Sequence, residues 1–376
     1  MMDAIIIGAA ETDVLGRNPD QSVLGLNVEG GLRALADAGL EPGQIDGVAG
    51  AYSPHGVAHA LGITPRWVDS TNVGGCSFLM HVRHAAAAIA AGHATRVLVT
   101  HGESGRSRVG TVPRPRDPQS WTGQFEEPYG AKPPYTRFTL PALRYLHDNG
   151  LDETALAQVV VAQRRWSSRV PRAGRRDLMT VEEVLAAPAL AWPFTVPMIC
   201  MLTDGGGGLV VTAPRHATAE QLRRSVRVLG TGESSDPLLV SQTPAPAGGS
   251  AARRAADDAF AEARIGRSEI EHVMVYDAFA HLPLIGLECL GLAQAGEAAE
   301  LIAAGETAPG GSLPLNTNGG GLAYTHTGMY GMFAIQEAVR QLRHEAAAQV
   351  PDVKTSAVLG YGGMFTASAV LILVRD

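Results

Sequence analysis

Cysteine and lysine are scarce in this sequence, and their scarcity excludes several kinds of site. The 376 residues contain three cysteines, Cys76, Cys200 and Cys289, without the CxxC spacing of a zinc site, so neither a disulfide framework nor a structural metal is expected. Lysine occurs only at Lys132 and Lys354, so nearly all of the 30 basic residues are arginine. Because arginine forms no Schiff base, aldolase chemistry of that type has few candidate residues.

Long apolar runs, a leader pattern and an excess of positive charge are also missing. No apolar run reaches the roughly 18 residues of a membrane-spanning helix, and the opening MMDAIIIGAAETD lacks the basic flank and cleavage pattern of a signal peptide. The net charge of -7 offers no general field for a polyanion. We therefore expect a cytoplasmic protein that binds neither nucleic acid nor membrane and uses no metal or redox cofactor.

The length allows two core-forming units, because single hydrophobic cores usually stop growing near ~250 residues. In the first part, short apolar runs alternate with helix-length segments, which predicts an α/β fold with a mostly parallel sheet covered by helices. The expected strands are 4–8, 45–52, 66–71 and 96–104, and the expected helices are 21–39 and 77–92. Residues from about 105 to 195 carry prolines, arginines and then amphipathic helices, and predict an excursion from the sheet.

Two sequence patterns recur in the same order. AGLEPGQIDGVAGAY (38–52) is similar to ARIGRSEIEHVMVYDAF (263–279), each reading as a helix end, a short acidic turn and an apolar strand. The segment from NVGGCSF to RVLVTHGE is likewise similar to the segment from NTNGGGLAYTHTGMYG to SAVLGYGGMF. Two such similarities in the same order indicate that the chain contains a duplication. We infer two α/β halves, 1–235 with the inserted loop region and 236–376.

Cys76 follows the glycines of NVGGC at the predicted start of a helix. Unpaired backbone N–H groups and the helix dipole favour a thiolate there, so Cys76 is a candidate nucleophile. A lone cysteine in an apolar stretch is equally a small core residue, and this alternative stays open. Cys200 and Cys289 lie in apolar surroundings and are expected in the core.

Glycine-rich turns precede or follow several predicted elements. NTNGGGLAYTHTGMYG (316–331) places His326 early in a helix beside glycines that let backbone approach a ligand, where an imidazole can polarise a carbonyl or move a proton. A purely structural His326 is the alternative. GYGGMF (360–365) and DGGGG (204–208), the latter expected to precede a strand, are weaker signals that tight packing explains equally well.

The stretch RRWSSRVPRAGRR (164–176) is strongly basic. Arg164, Arg165 and Arg169 are candidates for holding the phosphates of a nucleotide carrier such as coenzyme A. A solvated helix face is the alternative explanation.

Five ordered segments resemble the motifs of the thiolase superfamily, specifically its sterol-carrier-protein thiolase-like branch. NVGGCSF resembles the nucleophile loop, MICMLTDGGGGLVV the Ser-Asp-Gly-Ala strand, and YDAFAH the Asn-Glu-Ala-Phe or His-Asp-Cys-Phe motif. NTNGGGLAYTHTG resembles the Asn-x-x-Gly-Gly and His-Pro element, and GYGGMF the final Cys-x-Gly turn. The resemblance covers nearly the whole chain. It implies a thiolase-like fold with two duplicated α/β halves in five αβαβα layers, a homodimer, and a coenzyme A thioester as substrate.

The resemblance also implies roles for particular residues. Cys76 takes the position of the acyl-accepting nucleophile, His326 that of the group that activates the thiol and shares an oxyanion hole, and Tyr276 the other oxyanion position. The supporting turns comprise Asn318, Gly319, Gly320, Gly360 and Tyr361.

Three positions depart from the thiolase pattern. Gly360 stands where thiolases place a second cysteine, and its neighbour Tyr361 is a poor base at an ordinary pKa near ~10. Thr327 replaces the proline after the histidine. The spacing from Cys76 to Ile89 is one residue shorter than in many thiolases, so a one-residue offset of Cys76 from the nucleophile position is an open alternative.

Three functions are compatible with these motifs. The first is a lipid-metabolism acyltransferase that makes or breaks a carbon–carbon bond through Cys76. The second is a lyase acting on a β-hydroxyacyl-CoA through Tyr276 and His326, because thiolase-like retro-aldolases of steroid side-chain degradation use tyrosines in place of the asparagine and histidine. The third is a non-catalytic acyl-CoA-binding subunit. The branch is also similar to proteins that work with a small zinc-ribbon and OB-fold subunit, so we consider such a partner.

Overall fold

The structure, a computed structural model, describes residues 3–110, 117–131, 134–243 and 249–375. Lys132 and part of the loop expected at 236–250 lie outside these ranges. The strands are β1 (Ala4–Glu11), β2 (Gly47–Gly50), β3 (Trp67–Asp69), β4 (Arg96–Ser104), β5 (Ala189–Ala191), β6 (Phe194–Thr195), β7 (Asp204–Thr212), β8 (Val226–Ser235), β9 (His272–Val275), β10 (Thr355–Gly362) and β11 (Ala367–Val374).

The helices agree with the expected ones in the first part of the chain. They are α1 (Val23–Ala38), α2 (Pro54–Leu61), α3 (Ser77–Ala90), α4 (Trp121–Phe125), α5 (Tyr135–Asp148), α6 (Glu153–Ser167), α7 (Val181–Ala186), α8 (Ala219–Arg224), α9 (Ser250–Ala263), α10 (His281–Cys289), α11 (Glu297–Ala303), α12 (Gly320–Ala323) and α13 (Gly331–Arg343). None of these described helices is long and apolar enough to cross a membrane.

Nine strands form one sheet in the order β3-β2-β4-β7-β1-β8-β11-β10-β9. The sheet repeats itself about its centre. β2, β4, β7 and β1 have the same order and relative directions as β9, β10, β11 and β8, and the two sets meet where β1 pairs with β8. This arrangement confirms the inferred duplication. The boundary expected between residues 235 and 236 stays a prediction, since β8, which ends there, pairs with a strand of each set.

The sheet is mixed, so the expectation of a mostly parallel sheet was wrong. Only the pairs β3–β2, β2–β4 and β9–β10 are parallel. Parallel neighbours need a crossover connection, whereas β10 and β11 are joined by a short turn and are therefore antiparallel.

Helices cover the sheet in layers. α3 and α13 contact each other and strands of both sets, and they form the central layer. α1 lies against β1, β4 and β7, while α9 lies against β8 and β11. The two sets of strands are the two β layers, with α3 and α13 between them and α1 and α9 on the outside. The result is the five-layer αβαβα arrangement. The excursion after β4 contains α4 to α7, and its helix α6 packs on α10, α11 and α12 of the second half.

The glycine run of DGGGG lies inside β7 and does not precede the strand, contrary to the expectation. The reason is close packing of α1 on this strand. A Cβ on Gly30 would lie 2.7 Å from the backbone of Gly207, and one on Gly208 would lie 2.7 Å from the carbonyl oxygen of Gly30. Glycines are required because helix and strand backbones touch.

Candidate active site

A cavity of about 410 Å³, called here the central cavity, lies where both halves meet the excursion. Tyr276 directly follows β9, His326 precedes α13, and the turn between β10 and β11 closes another side. Strand ends and helix starts therefore converge on it, which is the usual place for ligands in α/β sheets. Most of its wall is apolar, and Tyr276 and His326 supply polar groups that converge within it.

Tyr276 and His326 form a buried pair. The Tyr276 hydroxyl lies 2.9 Å from His326 Nε2, and either group can donate, depending on the imidazole tautomer. Burial lowers the pKa of His326 to about 4 and raises the pKa of Tyr276 well above its usual 10. Both groups are therefore uncharged near pH 7. His326 Nδ1 has no hydrogen-bond partner among the described residues.

The backbone around His326 is held firmly. The His326 N–H donates to Thr203 Oγ1 at 3.0 Å, and the Thr203 N–H donates to the His326 carbonyl oxygen at 3.1 Å. Thr203 directly precedes β7, so the TDGGGG motif fixes the imidazole through two backbone contacts.

Of the expected supporting residues, Asn318, Gly319 and Gly320 lie behind Tyr276, outside the cavity wall. Asn318 Oδ1 accepts from the Gly320 N–H at 2.9 Å, and the Gly321 N–H donates to Asp277 Oδ1 at 2.6 Å. Gly320 has φ +66°, and a Cβ there would lie 2.7 Å from the Asp277 carboxyl carbon. Gly319, at φ +102°, similarly touches Ser167. Because these glycines have no side chain, the turn can approach and hydrogen-bond the carboxyl of Asp277, the residue after Tyr276.

Cys76 lies at the N-cap of α3, as its sequence position predicted, but it does not line the central cavity. It is fully buried, and a Cβ on Gly362 would lie 2.8 Å from its sulfur. Burial raises the pKa of the thiol to about 12, and the carboxylate of Glu233 adds to the shift. Burial therefore favours the neutral thiol over the thiolate, and of the two interpretations that the sequence left open this burial fits the small core residue. The role of Cys76 as a nucleophile stays a prediction.

Gly75, one residue earlier, does line the cavity. A Cβ on Gly75 would overlap the Tyr276 ring, lying 2.6 Å from its Cζ and 2.6 Å from the Tyr361 carbonyl oxygen. The Tyr276 ring thus fills the volume that a side chain at position 75 would use. This geometry agrees with the one-residue offset left open by the sequence.

The second cysteine position of the thiolase pattern is closed as well. A Cβ on Gly360 would lie 2.9 Å from the Cβ of Cys76. Tyr361 lines the cavity, but burial raises its pKa well above 10, so it cannot serve as a base near neutral pH. Cys200 lines the cavity, contrary to its expected core position, and burial raises its pKa to about 12. Cys289 is buried, as expected.

The arginines predicted to bind coenzyme A do not meet this cavity. Arg164 is buried and donates to the Asp177 carbonyl oxygen at 2.9 Å, so its guanidinium is used inside the fold, and its assignment to phosphate binding is corrected. Arg165 and Arg169 are exposed at and beyond the end of α6. Their role stays a prediction.

Sequence reasoning missed the aromatic wall. The ring of Phe138 stacks on that of Phe279 with centroids 4.3 Å apart and lies 5.6 Å from that of Phe365. Phe279 and Phe365 stand within the YDAFAH and GYGGMF segments, so proximity to a motif could have indicated them. Phe138 lies in the motif-free excursion, where the sequence carried no signal for it.

Comparison with known proteins agrees with this fold. The thiolase C-terminal domain-like family model matches residues 232–375. The chain is 31% identical over 388 residues to the 17-hydroxy-3-oxo-4-pregnene-20-carboxyl-CoA lyase of Mycobacterium tuberculosis, covering 98% of each. It is 28% identical over 392 residues to an acetyl-CoA acetyltransferase of Methanothermobacter thermautotrophicus, covering 100% of each.

A solved structure is also similar over the whole chain. The Ltp2-ChsH2(DUF35) aldolase matches with a TM-score of 0.90 and 27% identity, covering 100% of this chain and 98% of that one. The fold and the site thus define a thiolase-like acyl-CoA enzyme. The chain belongs to the thiolase superfamily, in its sterol-carrier-protein thiolase-like branch.

Proposed function

We propose that this protein is a thiolase-like lyase that cleaves the Cα–Cβ bond of a β-hydroxyacyl-CoA by a retro-aldol reaction. The observation that carries the proposal is the position of Tyr276. Its ring occupies the space of a nucleophile side chain at Gly75, and its hydroxyl pairs with His326 in the cavity. Acyl transfer through Cys76, the first interpretation of the sequence, finds no support in a thiol buried outside the cavity with a pKa of about 12.

Tyr276 and His326 can move the required proton together. The Tyr276 oxygen accepts the proton of the β-hydroxyl while its own proton passes to the neutral Nε2 of His326. The Cα–Cβ electrons move to the thioester carbonyl, a carbonyl forms at Cβ, and the bond breaks. The resulting thioester enolate then takes the proton back at Cα, from His326 through Tyr276, and the pair returns to its neutral form. The products are a ketone or aldehyde and a shortened acyl-CoA, with no free coenzyme A consumed.

The aromatic wall indicates the substrate class. Phe138, Phe279 and Phe365 line the cavity, and flat ring systems pack well against such aromatic side chains. The name of the lyase relative, a 17-hydroxy-3-oxo-4-pregnene-20-carboxyl-CoA lyase, fits a substrate whose β-carbon belongs to a fused-ring skeleton. We therefore propose a β-hydroxyacyl-CoA with a bulky ring at Cβ, held at its nucleotide end by the exposed Arg165 and Arg169.

A partner subunit is part of the proposal. The Ltp2-ChsH2(DUF35) aldolase carries a second protein in its name, which supports a partner protein for this chain. That this partner is a small zinc-ribbon and OB-fold subunit stays a prediction. A homodimer and a cytoplasmic location stay predictions.

Product analysis tests the reaction. The wild type should convert a ring-bearing β-hydroxyacyl-CoA to the ketone and the shortened acyl-CoA, both visible by liquid chromatography and mass spectrometry. Tyr276→Phe and His326→Ala should each lower kcat by about 10²-fold or more, because each loses the proton transfer. Lys354→Ala, a change at a residue outside the cavity, is the matched control and should keep wild-type activity. Consumption of free coenzyme A with an acylated cysteine would instead establish thiolysis.

A further inference from the structure

Behind the segment that carries His326 lies a second cavity of about 500 Å³, called here the side cavity. Its wall includes Glu103, His101 and Thr327, whereas Gly328, the next residue, lines the central cavity. The segment Thr327–Met329 therefore separates the two cavities, with the proposed reaction on one side and the end of β4 on the other.

Glu103 lies directly against this segment. A Cβ on Gly328 would overlap Glu103 Oε2 and lie 3.1 Å from the carboxyl carbon, and Gly328 has φ +129°. The Met329 amide and the Thr327 hydroxyl both face the carboxyl and stabilise its charged form. Oε2 has no hydrogen-bond partner among the described residues. An orphaned buried carboxylate oxygen calls for an explanation.

Thr327 connects Glu103 to a second side chain of β4. His101 Nε2 lies 2.8 Å from Thr327 Oγ1, and burial lowers the pKa of His101 to about 3, so its ring is neutral. A neutral ring with its proton on Nε2 donates to the hydroxyl, which is then free to donate to the Glu103 carboxylate or to the Met329 carbonyl oxygen at 3.3 Å. A proline at position 327, as in the thiolase pattern, would offer no such hydroxyl.

We infer that Glu103 is a positioning residue for the Tyr276–His326 pair, acting through Thr327, Gly328 and Met329 from the side cavity. The inference rests on the proposed function for its kinetic consequence. Glu103 touches no substrate, because it lies outside the central cavity wall. The Glu103 carboxylate holds the segment, and the segment in turn fixes the imidazole of His326. On the other side, Thr203 holds the backbone of His326 through two hydrogen bonds.

The side cavity also gives this carboxyl access to solvent protons. Burial raises the pKa of Glu103 to about 7, so its charge changes in the neutral range. The charged carboxylate is the form that accepts hydrogen bonds from Thr327 and Met329. The Tyr276–His326 pair should therefore work best above pH 7. Other titratable groups belong to the elements around Glu103. His101 lies on the same strand and Asp204 on the neighbouring strand β7. His326 adjoins the segment, Tyr276 pairs with His326, and Tyr52 lies in the wall of the side cavity.

The test uses Glu103→Gln, which keeps the shape but cannot ionise. The matched control is Glu288→Gln, because Glu288 is another part-buried carboxyl with a raised pKa, bonded to Tyr145 away from the central cavity. We expect Glu103→Gln to lower kcat about tenfold with KM within about twofold, and to remove the limb of the kcat profile near pH 7, while Glu288→Gln keeps that limb.

A second readout is independent of turnover. In ¹⁵N-histidine NMR without substrate, the His326 ring signal, assigned by its loss in His326→Ala, should shift with a midpoint near pH 7 although its own pKa is about 4. The shift should vanish in Glu103→Gln and in Thr327→Val, and persist in Thr327→Ser and Glu288→Gln. Persistence in Glu103→Gln, or wild-type kcat and shift in Thr327→Val, overturns the inference. If the coupling is present but no lyase activity is found, the proposed function fails while the positioning role stands.

Discussion

At the scale of single residues, the chemistry depends on which of two neighbours faces the cavity. Gly75 lines it and leaves room for the Tyr276 ring, whereas Cys76 is buried behind the cavity-lining Gly362. Successive side chains at a helix start differ in direction by about 100°, so one residue decides whether a thiol or a phenol meets the substrate. In this protein the phenol of Tyr276 lines the cavity.

Changes at these two neighbours should therefore have opposite effects. Cys76→Ser should keep most of the lyase activity, and the Cys76 thiol should alkylate slowly at pH 8 because burial raises its pKa to about 12. Gly75→Ala should abolish activity because its methyl group would overlap the Tyr276 ring. Product formation and the rate of iodoacetamide labelling measure both effects. Rapid labelling of Cys76, or an inactive Cys76→Ser enzyme with its fold intact, would restore the acyl-enzyme interpretation.

At the scale of elements, one histidine of α3 ties this helix to two strands. His84 Nδ1 lies 2.8 Å from Asp69 of β3, and Nε2 lies 3.1 Å from Glu233 of β8. These carboxylates raise the pKa of His84 from 6.5 to about 9. Helix α3, which begins at Ser77 directly after Cys76, is thereby fixed to the edge strand β3 and to β8.

This tie should make stability depend on pH in a defined direction. Because the folded pKa is raised, the contribution of His84 is fully present below about pH 6.5 and is lost as the pH rises through 9. His84→Gln should therefore lower the urea midpoint at pH 6 and have little effect at pH 10. His147→Gln, at a largely exposed histidine, is the control and should change little at either pH. A loss of stability that is equal at both pH values would contradict the charged tie.

At the scale of the whole molecule, the overall charge is negative, so a phosphate can be held only where positive side chains cluster. The net charge is -7, so coenzyme A meets a repulsive overall field and needs a cluster of exposed cations. Arg165 and Arg169 are exposed and close in sequence, whereas Arg164 is occupied inside the fold.

Binding measurements decide whether these two arginines contact the cofactor portion of the substrate. The double variant Arg165→Gln/Arg169→Gln should weaken coenzyme A binding about threefold to tenfold at low salt, and by less at high salt because screening already weakens the wild type. Arg66→Gln/Arg223→Gln removes the same charge from exposed positions elsewhere and should leave the affinity unchanged. Equal affinities for all three proteins in calorimetric titration would leave only a solvated helix face.

The sequence by itself determined most elements of the first half, the duplication and the candidacy of His326, whereas the Tyr276–His326 contact came from the tertiary structure. Strands and helices follow from short-range periodicity, and the two recurring patterns gave the two halves because each pattern contains a complete helix–turn–strand unit. His326 could be named because it lies beside a glycine turn at the predicted start of a helix. Tyr276 could be named only through the resemblance of YDAFAH to a thiolase motif.

Only the tertiary structure decided which side chains enter the cavity. The space beside Gly75 is filled by the ring of Tyr276, which is remote in the chain. The pKa of the Cys76 thiol depends on burial by strands of the second half. Glu103 and Phe138 reach the site region through contacts with distant segments, Thr327 to Met329 for the first and Phe279 for the second. Local patterns carry no record of such contacts, because desolvation and steric exclusion arise only when remote segments pack together.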